Sequence, residues 1–420
     1  MNDPTRRAIL LRAAGLLGVS LLPPGLWSAD PPAVPAAPVG SAKSLILLFM
    51  AGGMSHLDTF DPKPGREVQG PIGAIPTSVD GVMLGQHLPN LAKQMGRCAL
   101  IRSLTSTQGA HEQGVYYMRT SYTMRGTARH PAVGAWAAQL LPRMNPTLPP
   151  FIAIGSDSRH PGAGFLPAAC GPLPIGDPAK GLQYAKPAKG IDGARQDHRM
   201  ALLGDLDAHG TAPDAEAVRA YHELYAEAVK LMASQDLAAF DLSQESEAVR
   251  DSYGDDAFGH GCLLARRLVE RGVRTVEVTL GGWDTHDDSA TRIEDRCNIL
   301  DRGLPALLSD LASRGLLATT MVAVVSEFGR SPKMNVRDGR DHHPKCFSAL
   351  LAGGGIRGGQ VYGASDEDGQ APARDTVQVP DFNATLAYGL GCDRTRMLHA
   401  PDGRPFTMAD KGKPLVSLFA

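Results

Sequence analysis

Residues 45–58 read LILLFMAGGMSHLD: six apolar side chains in a row, then a small turn, then an imidazole and a carboxylate. An unbroken apolar run of this kind fits a strand covered on both faces, as in parallel sheets, and open α/β sheets bind their ligands beyond the carboxyl ends of such strands. The same grammar recurs further along. Residues 275–288, TVEVTLGGWDTHDD, and residues 321–330, MVAVVSEFGR, each leave a strand-like run for glycine beside acid, imidazole or guanidinium. Three strands would thus aim polar groups at one crevice. The expected fold class is α/β, with a mostly parallel central sheet flanked by helices.

Between these runs the pattern alternates. Strands are expected at 43–50, 98–101, 151–154, 275–280, 320–325 and 346–351. Apolar residues at helical spacing predict helices over 131–141, 196–206, 214–234, 258–271, 291–314 and 380–389, with Pro305 kinking or dividing the fifth. Residues 155–193 are rich in glycine and proline, so 155–250 reads as an excursion able to cap a cleft.

The 420 residues carry a net charge of -2, which gives no electrostatic grip on nucleic acid or an anionic membrane. Arg6 and Arg7 precede a mildly apolar stretch to Leu22 and a proline-rich linker, Pro23 to Pro38. Paired arginines before such a stretch fit a twin-arginine export signal. Residues 1–42 then form the signal and linker, residues 43–420 a single domain, and the protein is periplasmic or secreted, meeting the membrane only transiently during export. The 6 cysteines lie far apart, without a Cys-x-x-Cys pair, and read mainly as small buried hydrophobes.

The chemistry follows the strands. Asp284 and His286, two apart on an extended backbone, turn to the same side and can share one metal. Glu327 follows the next strand, and Asp341, His342 and His343 occupy a loop, GRDHHP, that lies close if it returns to the same sheet edge. His56 and Asp58 extend the set. Mixed imidazole and carboxylate ligands suit zinc or manganese better than calcium or magnesium. Taken singly, each of these residues has a plainer reading as a hydrogen-bonded pair or helix cap.

The segments SLILLFMAGGMSHLDTFDPKPG, LLARRLVERGVRTVEVTLGGWDTHDD, VVSEFGRSP and GRDHHPKCFSALLAGGGIRGGQVYGASD closely resemble the exported bacterial family known as domain of unknown function 1501. That family in turn resembles the alkaline phosphatase and sulfatase superfamily, which implies an alkaline phosphatase-like sheet with two metal sites at its strand ends and a hydroxyl or thiol nucleophile between them. Asp284 and His286 resemble the superfamily's aspartate and histidine pair, and the GRDHHP loop its last histidine ligand. Glu327 and Phe328 replace the usual Asp-His, and Gly52 or Gly53 replaces a metal-binding aspartate. The segment after the second strand offers Ser103, Thr105, Ser106 and Thr107 but no cysteine to convert to an aldehyde. Ser103 is the expected nucleophile, with Arg102 or His111 holding an anion or completing the site, and Arg330 acting as anion clamp or partner of Glu327.

The expected activity is metal-dependent hydrolysis of phosphate or sulfate esters, with zinc or manganese polarising the ester oxygen and activating a hydroxyl or water. The substrate would be a small anionic ester or glycan. Two alternatives stand beside it: a non-catalytic exported factor that binds a glycan or a protein, and a peptidase or carboxylesterase on the same scaffold.

Overall fold

The computed structural model describes residues 40–420 other than 127, 156, 157, 184, 186–191 and 210–214, so the proposed export signal lies outside the described residues. The nine strands of the central sheet are β1 (Ser44–Met50), β2 (Cys98–Thr105), β3 (Phe151–Ile154), β4 (Leu173–Ile175), β5 (Thr275–Leu280), β6 (Thr320–Val325), β7 (Phe347–Ala352), β8 (Gln360–Tyr362) and β9 (Val377–Gln378). Their order is β8-β2-β7-β6-β1-β5-β3-β4, with β9 also paired to β2. All run parallel except β7, which is antiparallel to both β6 and β2. The expected mostly parallel α/β sheet is therefore what this chain forms.

Period-two alternation in β1 explains its continuous apolar run. Ile46, Leu48 and Met50 enter one hydrophobic cluster, and Leu45, Leu47 and Phe49 enter the other. The first cluster is covered by α5 (Ala257–Glu270) and α6 (Ser289–Ser313), the second by α1 (His111–Thr120), α2 (Val133–Leu140) and α7 (Val379–Gly389). The two remaining helices labelled here are α3 (Gly193–His209) and α4 (Ala215–Met232). Among the described residues no helix is long and apolar enough to cross a membrane.

Several expectations need correction. Pro305 does not divide α6, which runs unbroken for 25 residues. Leu304, Pro305, Leu307 and Leu308 are all buried there, so tertiary packing outweighs the lost backbone donor. The helix expected from Pro131 starts at Val133. Strand β2 continues to Thr105 rather than stopping at Ile101, and α1 was not anticipated at all. Part of the glycine- and proline-rich excursion, Leu173–Ile175, joins the sheet as its edge strand.

The reversed strand decides where the site forms. Chains leaving β1, β2, β5 and β6 emerge at the carboxyl edge, and a segment entering an antiparallel strand must start from that same edge. The 326–346 loop is thereby held above the ends of its parallel neighbours, and it carries Glu327, Arg330, Asp341 and His342.

Candidate metal centre

Four side chains from three loops meet at this edge. His111 opens α1 after β2; Asp284 and His286 follow β5; His342 precedes β7. Ligand atoms of His111, Asp284 and His342 lie within 4.8 Å of one another. His286 Nε2 is 3.1 Å from Asp284 Oδ1 and 3.1 Å from His342 Nε2, which is itself 3.4 Å from Asp284 Oδ1. His111 Nε2 faces Asp284 Oδ2 at 3.4 Å.

Hydrogen-bond partners assign the protons on all three rings. His111 Nδ1 lies 2.8 Å from Glu327 Oε1, His286 Nδ1 lies 3.0 Å from Asp341 Oδ1, and His342 Nδ1 lies 2.8 Å from the Gly109 carbonyl. Each partner only accepts, so each Nδ1 donates. In a neutral ring every Nε2 then bears a lone pair, and all three lone pairs face the Asp284 carboxylate. His111 Nε2 is buried without a hydrogen-bond partner. Burial pushes Asp284 up, yet the Arg330 hydrogen bond and charge outweigh it and hold the carboxyl at about 2. Burial and the nearby Arg330 charge hold His342 below the ordinary imidazole value, whereas the Glu327 hydrogen bond raises His111. Electron pairs opposed in this way fit a divalent cation. Tetrahedral zinc with bonds of roughly 2.0–2.1 Å separates its ligands by about 3.4 Å, close to the 3.1–3.4 Å between Asp284 and each imidazole and the 3.1 Å between His286 and His342, while ligand atoms of His111 and His342 lie within 4.8 Å. Orienting each ligand imidazole through its second nitrogen is how protein metal sites fix the tautomer.

Gly52 and Phe328 shape the centre without ligating it. Gly52 has φ +121, and a Cβ there would meet the Asp284 backbone nitrogen at 2.5 Å. No aspartate fits at that point. The Gly52 N–H instead donates to Glu327 Oε1 at 2.9 Å. Phe328 is fully buried, with its ring 5.1 Å from that of His111 and 4.6 Å from that of His342, so it walls the centre instead of ligating.

Other expected residues go elsewhere. His56 is fully buried, with Nε2 2.9 Å from the Gly369 carbonyl, and burial lowers its pKa to about 4. Asp58 pairs with buried Arg340 at 2.9 Å and 3.2 Å. His343 Nε2 reaches the Gln370 carbonyl at 2.7 Å, because successive residues of an extended ribbon face opposite sides. Asp341 orients His286 and is not one of the converging groups. Ser103 lies inside β2 and donates to the Asp375 carbonyl at 2.7 Å. Arg102 donates to the carbonyls of Phe60 (2.8 Å) and Met83 (2.7 Å). Arg330 bonds Asp284, not Glu327.

Sequence reading did not single out the Gly109 carbonyl or Asn335. Asn335 donates to the His286 carbonyl at 3.0 Å and to Asp341 at 3.2 Å. Gly339 is equally close: a Cβ there would sit 2.0 Å from the His286 carbonyl carbon. Gly339→Ala is expected to shift His286 and weaken metal binding about 10-fold or more, on the scale of lost outer-shell support. Calorimetric titration with zinc checks this, and unchanged affinity would show that the loop yields without moving the ring.

The fold and this cluster define an α/β protein with a histidine-rich candidate metal centre at the carboxyl edge of its sheet. Residues 42–419 match the model of the family described as Protein of unknown function (DUF1501), and the chain belongs to that family. No curated protein matches it. Solved structures that overlap it include the PsFucS1 sulfatase from Pseudoalteromonas sp., at TM-score 0.42 and 14% identity over 90% of this chain and 72% of that one. Lipoteichoic acid synthase LtaP from Listeria monocytogenes overlaps at TM-score 0.41 and 9% identity, over 86% and 74% respectively. Alkaline phosphatase from the Antarctic bacterium TAB5 does so at 0.32 and 13%, over 78% and 95%. Overlaps this loose carry no argument about activity.

Proposed function

We propose that the chain is an exported hydrolase of phosphate or sulfate esters, holding one zinc or manganese ion on His111, Asp284, His286 and His342. The observation that carries this reading is the convergence of three Nε2 lone pairs on one ionised carboxylate. When bound, the ion supplies a Lewis acid for the ester oxygen and a water of lowered pKa. The ester class comes from the motif resemblance, and Arg6 and Arg7 support the twin-arginine route to the periplasm or beyond.

The chain's own residues prepare the site. Glu327, Asp341 and the Gly109 carbonyl aim the imidazoles. Because α1 begins at His111, the free N–H groups of its first turn give a partial positive charge that favours an anionic substrate. Arg330 is already engaged with carbonyls and Asp284, so it contributes a fixed field and not a mobile clamp. Ser103 is committed inside its strand, so the attack is assigned to water.

Purified protein loaded with zinc or manganese is expected to turn over generic aryl phosphates or sulfates, and an Asp284→Ala, His286→Ala double variant is expected to fall to background. Turnover no higher than the double variant's would overturn the catalytic reading. One observation favours the non-catalytic alternative: the positions of Gly52 and Phe328 lack ligands found across the superfamily that the motifs resemble. Under that reading the loaded protein binds an anionic glycan and leaves it intact.

A further inference from the structure

Arg330 is fully buried where the chains leaving β1, β5 and β6 meet. Its guanidinium donates to the carbonyls of Gly52, Gly53 (2.9 Å) and Arg340 (3.0 Å), and to Asp284 Oδ1. Backbone carbonyls and a carboxylate gathered around one buried positive charge are the ligand types that hard divalent cations take. The Gly52 and Gly53 carbonyls are presented by a turn that only glycine fits, since a Cβ at Gly53 would lie 2.6 Å from the Phe328 ring.

Charge gives an independent argument. Asp284, Glu327 and Asp341 all act on Arg330, and the three imidazoles of the centre are neutral when they serve as ligands. Three carboxylates against one guanidinium leave two negative units. One divalent ion balances them, whereas a second would leave two positive units beside the fully buried Arg330 guanidinium, where a further cation is repelled at close range. The guanidinium keeps its charge in a protein, so its contribution is permanent.

We infer that Arg330 stands where a second cation would otherwise sit. The centre therefore takes one divalent ion, and removing the guanidinium turns its oxygen cage into a second, oxygen-lined cation site. The inference rests on the metal-centre reading above and concerns its stoichiometry.

The test counts bound metal on the purified full chain, stripped with chelator and then given zinc together with magnesium. Elemental analysis after gel filtration is expected to find one zinc and no magnesium on the wild type, and one zinc plus one magnesium on Arg330→Met. Arg330→Lys, which keeps the charge, should stay at one zinc. Two ions on the wild type, or a single ion on folded Arg330→Met, overturns the inference while leaving the centre standing. No metal on the wild type overturns the centre itself. Should Arg330→Met fail to fold, the counts on the wild type and on Arg330→Lys decide, and two ions on either defeats the inference.

Discussion

Replacing His342 by alanine is expected to weaken divalent-metal binding by more than ~100-fold without unfolding the protein. Outer-shell partners alone typically govern roughly 10–100-fold in affinity, and a ligand itself should exceed that range. The His342 side chain is 25% exposed and holds no buried strut, so water can replace its bond to the Gly109 carbonyl. Glu327→Gln should fall at the upper end of the outer-shell range, because that buried carboxylate also accepts from the Gly52 N–H and the Ser326 hydroxyl. Asp341→Asn should fall at the lower end, because Asp341 is exposed and one of several groups around His286. His343→Ala supplies an internal control. Its ring points to the Gln370 carbonyl, so zinc titration should find its affinity near wild type. Equal losses at 342 and 343 would show that the ribbon presents the wrong face.

Glu277→Leu is expected to cost about 3–5 kcal/mol, the range for leaving one partner of a buried ion pair uncompensated. Glu277 lies in the middle of β5, fully paired with Arg119 of α1 and with His160 Nε2 at 3.3 Å. Arg119 also lies over the Phe49 ring, 3.7 Å from its centroid. Adding Arg119→Met to Glu277→Leu should recover much of the loss, since replacing both charges by apolar groups of similar size is often near neutral. Urea denaturation of the two single variants and the double checks this, and additive losses would deny the coupling. Acid should probe the same pair. Burial pushes Glu277 up, but the charges and hydrogen bonds of Arg119 and His160 together outweigh it and hold the carboxyl at about 2, against an ordinary 4.5. A depressed carboxyl contributes stability in full above about pH 4.5 and loses it as the pH falls toward 2. Wild type should therefore lose stability more steeply than Glu277→Leu across that window.

Much of the sheet was legible because strands buried on both faces need long apolar runs, as β1 and β6 show. Asp284, His286 and His342 were legible as metal candidates for the same reason: each stands just outside such a run. His111 was noted as holding an anion or completing the site and not as a metal ligand, because its place depends on α1. That helix, HEQGVYYMRT, mixes glycine, tyrosine and polar residues with no clear apolar stripe, and packing rather than pattern stabilises it. His56 and Asp58 looked equivalent to the other polar groups, yet the chain bends at Gly52 and Gly53, both at positive φ, and carries them toward Gly369 and Arg340. Local spacing does not report such a bend. Ser103 failed in a simpler way: β2 is longer than its apolar core suggests, and the hydroxyl falls inside the sheet.

The lone reversed strand also bears on how the molecule comes together. In sequence β7 follows β2 by well over two hundred residues, yet in space it slots between β2 and β6. Until it docks, β2 and its edge companions have no hydrogen-bonded link to the rest of the sheet, and the histidine at 342 has no fixed address. Pairings this remote along the chain are slow to form. Ion capture would accordingly come last in assembly, serving as a seal on a completed fold rather than a seed for it.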